Sequence, residues 1–182
     1  MVTKTYITYP IVWGKEYEKE IQEVYRLFKD QEKKIFDLTW YEAGNNLMDF
    51  IEELVKDGGV FVTKDFENNK IAATFVLVDP VIFREVVLYA NVHCAVSKAY
   101  WGKEARNISA NFISHLEDNY KINRLIASVP QCGYGIIKLL KNMGFRHEGT
   151  VKRVLPYLDK NSEVKLYDKL IYSLDLQIKE ND

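Results

Sequence analysis

The sequence predicts an α/β fold, and three observations in its C-terminal half point to it. First, the apolar strand end His93-Cys94-Ala95-Val96 runs through Ser97-Lys98-Ala99-Tyr100 and the turn Trp101-Gly102-Lys103 into a helix. The apolar residues of that helix, Ala105, Ile108, Phe112, Ile113, Leu116 and Tyr120, recur at spacings of three and four and so share one face. Second, residues 125–129 form a short, mostly apolar run stopped by Pro130, the pattern of a buried strand beside a parallel neighbour. Third, a further helix is carried by Ile136, Ile137, Leu139, Leu140 and Met143; Gly144 is placed to cap its end, and Phe145 opens another strand.

The first half follows in order. Residues 6–13 read as an edge strand, followed by a helix whose Tyr17, Ile21, Val24, Tyr25 and Phe28 lie on one face opposite a solvated charge array. Residues 35–41, Ile-Phe-Asp-Leu-Thr-Trp-Tyr, make an unusually aromatic connector, either a packed loop or a wall of an acceptor cleft. A second helix is expected at Leu47, Met48, Phe50, Ile51, Leu54 and Val55, opened by Asn45 or Asn46 and closed by Gly58-Gly59. Residues 60–63 and 71–78 then form a hairpin around Glu67-Asn68-Asn69, ended by Asp79-Pro80.

Composition bounds the function. A chain of 182 residues, 47% hydrophobic and 28% charged, suits one globular domain spanning 1–182. Its net charge of -1 and pI near 6.3, with both signs interspersed, argue against nucleic acid or an anionic membrane as partner. The opening segment, broken by Lys4 and Pro10, does not read as a signal peptide, and no apolar run reaches membrane-spanning length, so a cytoplasmic location is expected. Two dispersed cysteines, Cys94 and Cys132, suggest neither a disulfide framework nor a metal site.

The glycine turn carries the chemistry. Unpaired N–H groups at the helix N-terminus and the positive end of its dipole attract a pyrophosphate; without a ligand the same layout is a plain strand-to-helix crossover. The order of elements, together with four sequence pieces, resembles the GNAT superfamily of acyl-CoA-dependent N-acyltransferases. The pieces are Tyr100-Trp101-Gly102-Lys103, then Gly144-Phe145-Arg146-His147-Glu148-Gly149, then Val151-Lys152-Arg153, and Asp168 ahead of Ile171-Tyr172-Ser173-Leu174. They cover residues 87–176 and are most similar to the Rim-type branch, which acetylates ribosomal-protein N-termini, and to its relatives acting on small amines and antibiotics. The resemblance implies a mixed, mostly antiparallel seven-stranded sheet with a splayed central parallel pair and helices on both faces. It also implies acetyl-CoA as cosubstrate, with Cys94, Ala95, Val96, Trp101, Gly102, Lys103, Glu104 and Ala105 around the pantetheine and pyrophosphate. The acceptor would be an amine, either a protein N-terminus or a small molecule, taken by a monomer or homodimer.

The chain also departs from that pattern. Where the family turn reads R/Q-x-x-G-x-G/A, Ala99 replaces the first residue and Glu104 the last. Either the Glu104 carboxylate opposes the phosphates, or it turns away and complements the helix dipole. The tyrosine that many members use to protonate the leaving thiolate falls at Leu140, and the Asn-x-x-Ser arrangement of the Rim-type branch falls at Gly133 and Ile136. A catalytically inactive binding or structural module is therefore the alternative reading. Among the residues present, His93 is the first candidate base, by the pKa of an imidazole and its place beside the thioester site; strand alternation also allows the opposite face. Glu85 is the second candidate, in phase with His93 if the strand is unbroken. Tyr134 and Cys132 are candidates for the acid; His147 and His115 read as surface residues, and Asp168 as structural or an ammonium binder.

Overall fold

A computed structural model describes residues 5–11, 15–32, 58–158 and 164–177. The elements are β1 (Tyr6–Ile11), α1 (Glu18–Glu32), β2 (Gly58–Asp65), β3 (Lys70–Phe83), β4 (Val86–Val96), α2 (Lys103–Asn119), β5 (Arg124–Pro130), α3 (Tyr134–Asn142), β6 (Arg146–Leu158) and β7 (Val164–Asp175). The aromatic connector 35–41 and the helix expected at 47–55 lie outside the described residues, as do residues 12 and 13 of the first strand.

The strands form one seven-stranded sheet of order β1-β2-β3-β4-β5-β7-β6, antiparallel except at β4 and β5. Helices cover both faces. Ile21, Val24 and Phe28 of α1 pack with Ile11, Val60, Val62, Val76, Val78 and Ala95 on one side. On the other side Ile108, Phe112 and Leu116 of α2 and Leu140 of α3 pack with Phe61, Phe75, Leu125 and Val129. Phe75 stacks on Phe112 with centroids 4.0 Å apart. Of the helical stripe read from spacing, Ala105, Ile108, Phe112 and Leu116 are buried, Ile113 is partly buried against the same core, and Tyr120 is the C-cap and exposed.

Gly144 ends α3 as expected, at φ +87°; the Phe145 N–H donates to the Leu140 carbonyl and the Gly144 N–H to Lys141, a Schellman cap. Gly58-Gly59 begin β2, where Gly58 pairs with Val78; the helix they were expected to close lies outside the described residues. One expectation changes. Asp79-Pro80 does not end β3; Asp79 takes φ +49° in a bulge that lets the strand continue to Phe83.

Candidate active site at the splayed strands

The parallel strands part company. They pair at Ala90 with Leu125 and Asn91 with Ile126, behind a bridge at Val87 and Ile122, and among the described residues no pairing continues beyond. The remainder of β4 stays paired with β3 up to Val96 opposite Ala73. The Ser97 N–H donates to the Ala72 carbonyl at 2.9 Å, which sets the phase of that ladder. Alternation along the strand then directs the backbone groups of Cys94 and Val96 toward the β5 side, where β5 has moved away. Cys94 sits opposite Phe75, so its side chain shares the face of α2. Cys94 is exposed as a residue, while desolvation of its sulfur pushes the thiol up to about 11.

At the end of β4 a single 3-10 turn, Lys98–Tyr100, leads to Trp101 and Gly102. Gly102 is the N-cap of α2 at φ +83°, a backbone region that L side chains rarely adopt, and a Cβ built there would meet nothing within 4 Å. Gly102 has no side chain with which to cap this helix end. The first N–H groups of α2 have no intrahelical partner and carry the positive end of the helix dipole. The Trp101 ring is half-exposed and its Nε1–H donates to the Val96 carbonyl at 2.9 Å, tying turn to strand. Lys103 is exposed and Ala105 buried. These features fit the pyrophosphate and pantetheine of a CoA thioester.

The candidate acid–base groups are spread along the sheet. His93 lies opposite Val76, whose side chain belongs to the core beneath α1, so His93 takes the α1 face, away from α2. Glu85 is in the turn between β3 and β4, exposed, and eight residues from His93, roughly 26 Å along an extended strand. The strand is also broken in phase. Val81 pairs with Tyr89 and Ile82 with Val87, leaving Leu88 as a bulge, and Val87 packs on the same core as Ala90 and Val92. Tyr134 opens α3 with 78% exposure, and Leu140 is buried in the core.

Other histidines and the C-terminal aspartate also take definite places. His115 is not a surface residue: it is half-buried against Phe61 and Tyr120, and burial lowers its pKa. His147 is exposed and meets buried Tyr172 edge-on. Asp168 already has its partners. Its carboxylate accepts from Lys152 Nζ at 2.8 Å and from the Arg153 N–H at 3.0 Å, closing a bulge in which Arg153 takes φ +51°.

No protein-family model matches the sequence, and no curated protein matches it. Solved structures do match the fold. The ribosomal-protein-S5-alanine acetyltransferase from Vibrio fischeri superposes with a TM-score of 0.66 at 17% identity, over 98% of this chain and 100% of that one. The chain has the GNAT acetyltransferase fold. The ribosomal-protein-S18-alanine N-acetyltransferase from Escherichia coli gives 0.66 at 15% identity over 98% of each chain. A GNAT-family acetyltransferase from Bacillus anthracis gives 0.67 at 15%, over 93% of this chain and 94% of that one.

Within this GNAT fold, two tyrosine–carboxylate pairs brace the turn, and neither was singled out from the sequence. The Tyr100 hydroxyl donates to Asp65 Oδ2 at 3.0 Å, and the Tyr6 hydroxyl donates to the Glu104 carboxylate. Asp65 is fully covered yet shallow, beneath Tyr100 and the 66–69 turn. Burial pushes its pKa up, but hydrogen bonds from Tyr100, Asn68 and Glu67 outweigh this and hold it below the usual carboxylate value. Tyr6 is raised, by burial first and then by Glu104, and so remains a donor. The pairs join positions 35 and 98 residues apart, which local patterning does not register.

Proposed function

We propose that this chain is an acetyl-CoA-dependent N-acetyltransferase that acts by direct transfer on a primary amine, either a protein N-terminus or a small amine. The observation that carries the reading is the parting of β4 from β5 directly before the glycine-led N-terminus of α2. In this reading Trp101, Gly102, Lys103, Glu104 and Ala105 contribute backbone N–H groups or flank the pyrophosphate, while Cys94, Ala95 and Val96 line the pantetheine. Binding in the gap orients the thioester carbonyl toward the β4 edge, where the Cys94 N–H stabilises negative charge developing on its oxygen. The amine nitrogen bonds to the carbonyl carbon, the C–S bond breaks, and the thiolate takes a proton while the amine gives one up. His93 accepts the amine proton from the α1 face, opposite the phosphate-binding helix. Glu85, in the far turn, is left out of this chemistry; Tyr134, exposed beside the end of β5, or water returns the proton to sulfur.

The named ribosomal-protein acetyltransferases of this fold favour the protein N-terminus as acceptor. The free Cys94 and Cys132 suit a reducing compartment, and we place the protein in the cytoplasm as a monomer or homodimer, with no nucleic-acid or membrane partner. Among the described residues no helix is long and apolar enough to cross a membrane. A second reading, a CoA-binding or protein-interaction module without catalysis, draws on the buried Leu140 and on Glu104 in the turn. A thiol-release assay with acetyl-CoA and a panel of N-terminal peptides and small amines tests the proposal. Release above the buffer rate, rising with pH as the amine deprotonates, is expected; binding of acetyl-CoA without release would favour the module.

A further inference from the structure

Glu104 poses a physical problem for an anion site. It is the second residue of α2, where a carboxylate is drawn to the same N–H groups and dipole that attract phosphate. Left to itself, it would be a built-in competitor for the cradle. The structure shows its carboxylate elsewhere, accepting the hydroxyl of Tyr6 on β1. Tyr6 is itself fixed. Its ring is buried in the core and packs edge-on against Tyr100 at 6.4 Å, and its carbonyl accepts Asn111 Nδ2 of α2 at 3.2 Å. Asn111 Oδ1 in turn accepts the Thr8 hydroxyl at 2.6 Å, so β1 and α2 are locked together beside the turn. Gly102 and Lys103 are exposed.

We propose that the Tyr6 hydroxyl is a tether that holds the Glu104 carboxylate against β1, off the N–H groups of residues 102–105, and thereby keeps an acid in this turn compatible with binding a pyrophosphate. Tyr6 is a positioning residue, acting through Glu104. The inference rests on the acetyl-CoA reading of the turn. A free carboxylate a few ångströms from a pyrophosphate, partly screened by water, weakens binding by roughly threefold to tenfold, and salt reduces the effect.

The test is a calorimetric cycle on the full chain at low salt, with acetyl-CoA and with S-acetylpantetheine, which lacks the pyrophosphate. Tyr6→Phe should weaken acetyl-CoA by about threefold to tenfold, less at high salt, and leave S-acetylpantetheine unchanged. In a Glu104→Gln background the same Tyr6→Phe step should leave acetyl-CoA affinity where Glu104→Gln alone put it. A Tyr6→Phe protein that binds acetyl-CoA as tightly as the parent overturns the tether. So does a double variant that remains weakened relative to Glu104→Gln, since the loss would then be structural. If the parent binds S-acetylpantetheine and acetyl-CoA equally, the turn holds no pyrophosphate, and the reading of the site falls before the tether is reached.

Discussion

Gly102 is the residue on which the proposed cosubstrate site turns. At φ +83° any side chain strains the backbone by on the order of 1–3 kcal/mol, although the space around it is open. Gly102→Glu adds a charge where the phosphates would lie, and calorimetry should find acetyl-CoA binding abolished while circular dichroism reports an intact fold. Equal affinity in variant and parent would remove the assignment. His93 carries the proposed base role, and His93→Gln should lower turnover by roughly tenfold or more with little change in KM for acetyl-CoA. That residue type and strand position were legible from sequence. Which face His93 takes was not, because alternation gives two choices and only the pairing with Val76 over the α1-side core selects one.

At the scale of elements, the turn stands on long-range hydrogen bonds, chiefly Tyr100 to Asp65. The folded carboxyl of Asp65 lies below its unfolded value near 4, so the stability it contributes is fully present above pH 4 and is lost as pH falls through the folded pKa. Thermal unfolding of Asp65→Asn should therefore show a lower Tm than the parent at pH 7, with the gap narrowing below about pH 4. A gap independent of pH would show that the loss is one of packing. The end of α3 offers a cleaner measurement. Gly144 at φ +87° has only Leu174 Cδ1 near a built Cβ, at 3.7 Å, so Gly144→Ala should cost about 1 kcal/mol through the backbone alone, read by denaturant unfolding. This cap was visible in the sequence as glycine followed by phenylalanine after an apolar stripe. The bulges at Asp79 and Leu88 were not, and they extend β3 and put Glu85 out of phase with His93.

For the whole molecule, a ligand seated between β4 and β5 bridges the two parts of the sheet that pair only behind it. Acetyl-CoA at about a hundred times its Kd should stabilise the protein by about 2.7 kcal/mol, a Tm rise of roughly 5–10 °C by differential scanning calorimetry, and no rise would exclude the cleft as its site. The amino-acid sequence by itself determined the order of strands and helices from β4 to β6, the glycine turn and the capping of α3, because each depends on periodicity and backbone preference within one short segment, and four separate motif pieces carried the resemblance to acyl-CoA transferases. Only the tertiary structure decided where the parallel strands separate, that Asp168 is already satisfied by Lys152 and Arg153, that His115 packs inside, and that Tyr6 holds Glu104. These depend on contacts between residues far apart in the chain. Bulges, cross-strand register and the packing of helices on opposite faces set those contacts together, and no single stretch of sequence contains them.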